Sequence, residues 1–132
     1  MTHDNETIEI LEYTRALLAD PDKWVKRDLA VNRDGYAVDP FSPQACAFCL
    51  SGALTVAATD ADQAYLFAKD LLNENTPDGY EYRDLTDVSD RFIIYNDAFD
   101  TTHADVLALL DGAIADAKSI ADAKSEVDPA YS

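Results

Sequence analysis

The sequence predicts an α+β domain with a helical majority: about four helices and one small β-hairpin near residues 25–38. Three observations lead there. Apolar residues recur at three- and four-residue spacing in several segments, the pattern of helices with one buried face. Around Asn32-Arg-Asp-Gly35 the pattern changes to alternation about a turn. The 132 residues contain no internal repeat and no dividing linker, which gives one globular domain over 1–124 and a frayed C-terminal tail over 125–132.

The first helix starts after Asp4 or Asn5, either of which can cap it, and Ile10, Leu11, Thr14, Leu17 and Leu18 share its inner face. Asp20-Pro21 ends it, because a residue before proline avoids the helical region. Val25, Leu29 and Val31 precede the Asn32–Gly35 turn; Tyr36 and Val38 follow it. Ser42 as N-cap and Pro43 at the first helical position predict a helix running to about Ala58, with Cys46, Cys49, Leu50, Ala53 and Ala57 in one stripe. Thr59 and Asp60 restart a helix, Asp60 and Gln63 standing at capping-box spacing, with Ala64, Phe67, Ala68 and Leu71 inward. Asn73 to Gly79 reads as a surface loop, with a short helical turn after Thr86. Phe92-Ile-Ile-Tyr95 is a buried strand or a packed loop. Thr102 caps the last helix with Asp105 as the reciprocal acid, and Val106, Leu109, Leu110, Ala113 and Ala117 form its face.

Charge narrows the partners. Twenty-six acids against ten bases give a formal charge of -16, and the acids are spread along the chain. Such a field opposes direct nucleic-acid binding and anionic membranes, and it favours basic protein partners. It also fits plain solubility or adaptation to salt. No EF-hand loop is present to turn the acids into a calcium site. The acidic N-terminus MTHDNETIEI does not read as a signal peptide and no apolar run reaches membrane-spanning length, so the expected location is cytoplasmic.

The order Trp24, Ala30 to Gly35, Cys49-Leu-Ser-Gly-Ala-Leu54, Asn96-Asp97 and Thr102-His-Ala-Asp-Val-Leu107 resembles a family of short uncharacterised proteins of bacteria and their phages, a domain of unknown function. Its pattern has a tryptophan before a small-residue segment, a Cys-x-x-Gly-Ala-Leu helix, and an aromatic-Asn-Asp before a Thr-capped final helix. This chain carries Tyr95 where that pattern has Trp, and Cys46 lies outside it. The resemblance implies a fold and a phage or mobile-element setting. It implies no activity. It also nominates a shared residue set, Trp24, Cys49, Asn96, Asp97 and Thr102, as the place for a ligand if the domain binds one.

The candidate chemistry is sparse. Cys46 and Cys49 have the spacing of two zinc ligands, but a structural zinc needs four, and His3 and His103 form no ligand pair. No cofactor is therefore expected. A nucleophilic Cys49, with His103 as base and Asn96 or Asp97 as orienting group, is an arrangement the fold could assemble. Against it stands the reading of both thiols as small core groups, and of Asn96-Asp97 as a loop tie. The leading expectation is a non-enzymatic interaction protein whose acidic surface meets a basic host protein, as a phage accessory or anti-defence factor. The alternatives are a small-molecule-binding protein or cysteine-dependent hydrolase or transferase at Cys49, Asn96, Asp97 and His103, and a structural or virion component, with a homo-oligomer compatible with any of them.

Overall fold

A computed structural model describes residues 2–59, 61–80 and 90–127, with side chains placed from Asp4 to Ala123 within those stretches. Five helices are present among the described residues: α1 (Thr2–Leu17), α2 (Leu50–Ala58), α3 (Asp62–Asn75), α4 (Arg91–Asp97) and α5 (His103–Val127). A two-stranded antiparallel sheet joins β1 (Ala30–Val31) to β2 (Ala47–Phe48), with Ala30 opposite Phe48 and Val31 opposite Ala47. The α+β class with a helical majority holds. None of the described helices is long and apolar enough to cross a membrane.

α1 lies across α2, α3 and α5, and the core forms where they meet. Leu11, Leu18, Leu50, Leu54, Leu72, Phe92, Val106 and Leu110 are fully buried there. Burying a side chain of this size stabilises by about 1.5–3 kcal/mol. Thr14 sits in the same face because its hydroxyl donates to the Ile10 carbonyl at 2.7 Å, so no polar group is left bare. α1 and α5 run antiparallel. Leu18 meets His103, Arg15 meets Asp111 and Glu12 meets Lys118 as one chain ascends and the other descends. The predicted capping box opens α5: the Thr102 N–H donates to Asp105 Oδ2 at 2.9 Å, and the Asp105 N–H donates to Thr102 Oγ1 at 3.2 Å.

The Asn32 turn forms as expected. Asn32 Oδ1 accepts from the Asp34 and Tyr36 N–H groups, and Gly35 takes a φ of 87°. The arm after the turn contributes only a single bridge, Ala37 to Val31; the ladder partner of β1 is Ala47–Phe48.

That pairing corrects the predicted helix from Ser42. Ser42 Oγ accepts from the Gln44 N–H in a local turn, and the Cys46 N–H donates to the Val31 carbonyl at 2.8 Å. The chain is captured by β1 and stays extended until Cys49, so α2 begins at Leu50. Cys46 and Cys49 therefore do not share a helical stripe. Cys46 is exposed before β2, and Cys49 is the buried N-cap of α2.

Two further expectations change. Phe92 to Tyr95 is helical, because Phe92 and Asn96, four apart, are both buried, and Asn73 Oδ1 accepts the Phe92 N–H. In α3, Ala64, Ala68, Leu71 and Leu72 are buried, but Phe67 is 46% exposed. Ala61 takes the N-cap position of α3 without a side-chain bond, and Asp60 lies outside the described residues, as do the turn after Thr86 and the tail from residue 128.

Candidate functional site

Asn96, on the last turn of α4, is the centre of the predicted constellation. Its Oδ1 accepts from Trp24 Nε1 at 2.7 Å and from the Leu50 N–H at 3.2 Å. Its Nδ2 donates to the Val25 carbonyl at 3.3 Å and to Asp97 Oδ1 at 2.9 Å. A carboxamide has two lone pairs and two N–H groups, and all four positions are filled. The two incoming N–H donors also fix which end of the amide is oxygen. Asn96 is 1% exposed, so these bonds are made away from water.

The same side chain acts on two elements. It caps α2 remotely, since the Leu50 N–H is one of the helix's unpaired first donors. It also holds the segment that begins at Trp24. Asp97 continues the hold: its Oδ1 accepts the Arg27 N–H at 2.8 Å, where Arg27 has a φ of 76°. A non-glycine residue rarely occupies that left-handed region, and the carboxylate bond supports it there. Lys26 lies over the Trp24 ring, its Nζ 5.5 Å from the centroid, and donates to the Ala98 and Phe99 carbonyls just past α4.

Beyond Arg27 the segment passes over the start of α2. The Cys49 N–H donates to the Leu29 carbonyl at 3.3 Å. A Cβ on Gly52 would lie 1.9 Å from that carbonyl oxygen. Gly52 is thus the residue that lets the Arg27–Leu29 backbone touch the helix. Residues Trp24 to Val31 form a clasp across the beginning of α2 and the end of α4, fastened at Trp24, Arg27 and Leu29.

Within the clasp Cys49 has a structural task. Its Sγ accepts the Gly52 N–H at 3.3 Å, capping α2. Burial pushes its pKa above the ordinary thiol value; the nearby Asp97 charge acts in the same direction, while backbone N–H groups of Gly52 and Ser51 only partly oppose it. The thiol stays protonated at neutral pH, the reverse of what a nucleophile needs. His103 is engaged elsewhere: its Nε2–H donates to the Leu18 carbonyl at 2.6 Å, closing the end of α1. A carbonyl only accepts, so Nε2 carries the proton. The His103 ring also lies 6.0 Å from Trp24, tilted by 50°. Thr102 is exposed and belongs to the α5 cap. The structure brings Trp24, Cys49, Asn96 and Asp97 to one place, sets His103 beside Trp24, and leaves Thr102 in the cap. Among the described residues no group of three or more His, Cys, Asp or Glu is placed to hold a metal ion.

A cavity of about 260 Å³ lies at the other end of the antiparallel α1–α5 pair. Asp4 and Thr7 of α1, Phe67, Asp70, Leu71 and Glu74 of α3, and Ala117 and Ile120 of α5 line it. At 1.5 Å rise per residue, α1 separates Asp4 from the Leu18–His103 contact by roughly 20 Å. Sequence reasoning missed this site by treating Phe67 as core. The signal was present in Phe67, Asp70, Leu71 and Glu74, an i, i+3, i+4, i+7 stripe mixing acids with apolar residues.

No curated protein and no solved structure matches the chain. Residues 2–116, reaching from the start of α1 to the middle of α5, match the family of unknown function DUF6197, and the chain belongs to that family.

Proposed function

We propose that the protein is a non-enzymatic interaction protein that meets a basic partner through its acidic surface. The observation that carries this reading is the saturation of Asn96. Of the residues with the best chemical credentials, Asn96, Asp97 and Cys49 make bonds that hold α2, α4 and the Trp24 segment in place, and His103 ties the start of α5 to the end of α1. With that constellation committed to the fold, the remaining strong feature is the charge of -16, which attracts cationic partners and speeds their encounter. In the phage or mobile-element setting implied by the sequence resemblance, the partner is a host protein with a basic face, such as a nucleic-acid-binding or defence protein.

The test is affinity capture from host lysate at low and high ionic strength, followed by measurement with the purified partner. A basic protein retained at low salt and released at high salt is the expected result. A partner indifferent to salt, or none at low salt, would overturn the reading.

A further inference from the structure

We propose that the α1–α3–α5 cavity is the docking point for a single arginine side chain presented by a partner protein. The proposal deepens the interaction reading and rests on it for the partner's existence.

Size comes first. About 260 Å³ falls just below the roughly 300–1,000 Å³ of small-molecule pockets. It suits one long side chain better than a cofactor. Charge comes second. Asp4, Asp70 and Glu74 line the cavity, and among the described residues no lining side chain is basic. Lys69 and Lys118, which adjoin lining residues in sequence, are bonded to Asp90 and Glu12. Asp70 and Glu74 are one helical turn apart and both exposed, an i, i+4 like-charge pair that a bound cation would relieve. A second copy of this chain would bring its own -16 to the same face, so self-association there is opposed.

The apolar lining selects among cations. Phe67 and Ile120 are 46% and 43% exposed at the cavity, and Leu71 lies beneath them. Any cation gains from the Phe67 face, and lysine as well as arginine carries an apolar stem; what arginine adds is the geometry of its head group. Arginine offers a methylene stem for Leu71 and Ile120, and a planar guanidinium that pairs with carboxylates and stacks on an aromatic face.

The test titrates the isotopically labelled full chain with N-acetyl-argininamide, N-acetyl-lysinamide and the neutral isostere N-acetyl-citrullinamide, read by amide chemical shifts. Argininamide should shift residues 67–74 and 117–120 selectively and bind at least threefold tighter than lysinamide, with no saturable shift from citrullinamide. Asp70→Asn/Glu74→Gln should weaken argininamide at least fivefold, while Asp28→Asn/Asp34→Asn, which removes equal charge elsewhere, leaves it unchanged. Shifts scattered over the surface, equal effects of the two double variants, or saturable citrulline binding would overturn the proposal. If a salt-sensitive protein partner binds the Asp70→Asn/Glu74→Gln variant as tightly as the parent, the cavity is not the docking point although the interaction reading stands. If argininamide binds selectively but no protein partner is found, the cavity assignment stands and the interaction reading falls.

Discussion

Gly52 and the Leu29 carbonyl are in such close approach that a side chain on Gly52 would place its first carbon 1.9 Å from the oxygen. The obstacle is backbone, and that backbone is tied through Cys49 and through Asp97 on Arg27, so it has little room to yield. Gly52→Ala should destabilise by about 3 kcal/mol, at the upper end for overpacking. Gly35→Ala is the control. Its φ is 87° but no atom lies near the added carbon, so only the conformational penalty of about 1–2 kcal/mol applies. Urea denaturation of both checks the difference. An equal loss in the two variants would refute the close-packing account.

Asn96→Leu should cost about 3–4 kcal/mol, because the Trp24 Nε1–H and the Leu50 N–H lose their acceptor in a partly or fully buried place. Trp24 is the only tryptophan, so its fluorescence reports the clasp directly. The emission should move to longer wavelength in the folded variant. Unchanged emission with unchanged stability would show that Asn96 does not hold the segment.

The two thiols should separate cleanly by reactivity. Cys46 is exposed and reacts in the native protein; Cys49 is 6% exposed and reacts only on unfolding. Labelling without and with denaturant should give one and two equivalents, respectively. Rapid native labelling of Cys49 would restore the nucleophile reading.

Stability should also depend on pH through Cys49. Its folded pKa is raised above the ordinary thiol value of 9.0, mainly by burial. The folded state therefore holds the proton more tightly. Stability from this group is complete below pH 9.0, and it declines as pH rises from there toward the folded pKa. Cys49→Ser keeps a capping oxygen and removes the titration, so its stability should fall less steeply above pH 9.0 than that of the parent. Parallel curves would contradict the assignment.

Arg27→Gly should act in the opposite direction from Gly52→Ala. Arg27 holds a φ of 76°, which glycine adopts freely. After the entropy of the more flexible unfolded chain is subtracted, a gain of about 0.5–1 kcal/mol is expected in thermal denaturation. A loss would assign the arginine side chain a stabilising task of its own.

The helical faces were legible in the sequence because burial with a period of 3.6 leaves a direct imprint. Ile10 and Leu11 in α1, Leu18 just past its end, and Val106, Leu110 and Ala113 in α5 are buried as their spacing requires. The α5 capping box was legible too, since its bonds join residues three apart. The start of α2 was not. Ser42-Pro43 has a local helix signal, but the Val31 carbonyl, far away in sequence, takes the Cys46 N–H and keeps the chain extended. The sequence resemblance nominated Trp24, Cys49, Asn96, Asp97 and Thr102 together; the first four meet in space, and Thr102 lies in the α5 cap. Their role was not legible, because it depends on which backbone groups lie within 3.3 Å of Asn96. The cavity stayed hidden for the same reason: the 3.6 period assigned Phe67 to the core, and only the spacing of α1, α3 and α5 leaves it open.

The roughly 20 Å of α1 between the clasp and the cavity has an engineering consequence. No described hydrogen bond of the Asn96 hub reaches the lining of the cavity. Substitutions at positions 67, 70, 74 and 120 can therefore be made in combination with little coupling to the hub, as expected for separated sites. The scaffold is suited to display libraries in which that patch is randomised and the clasp is kept, so that new recognition is selected on an unaltered frame.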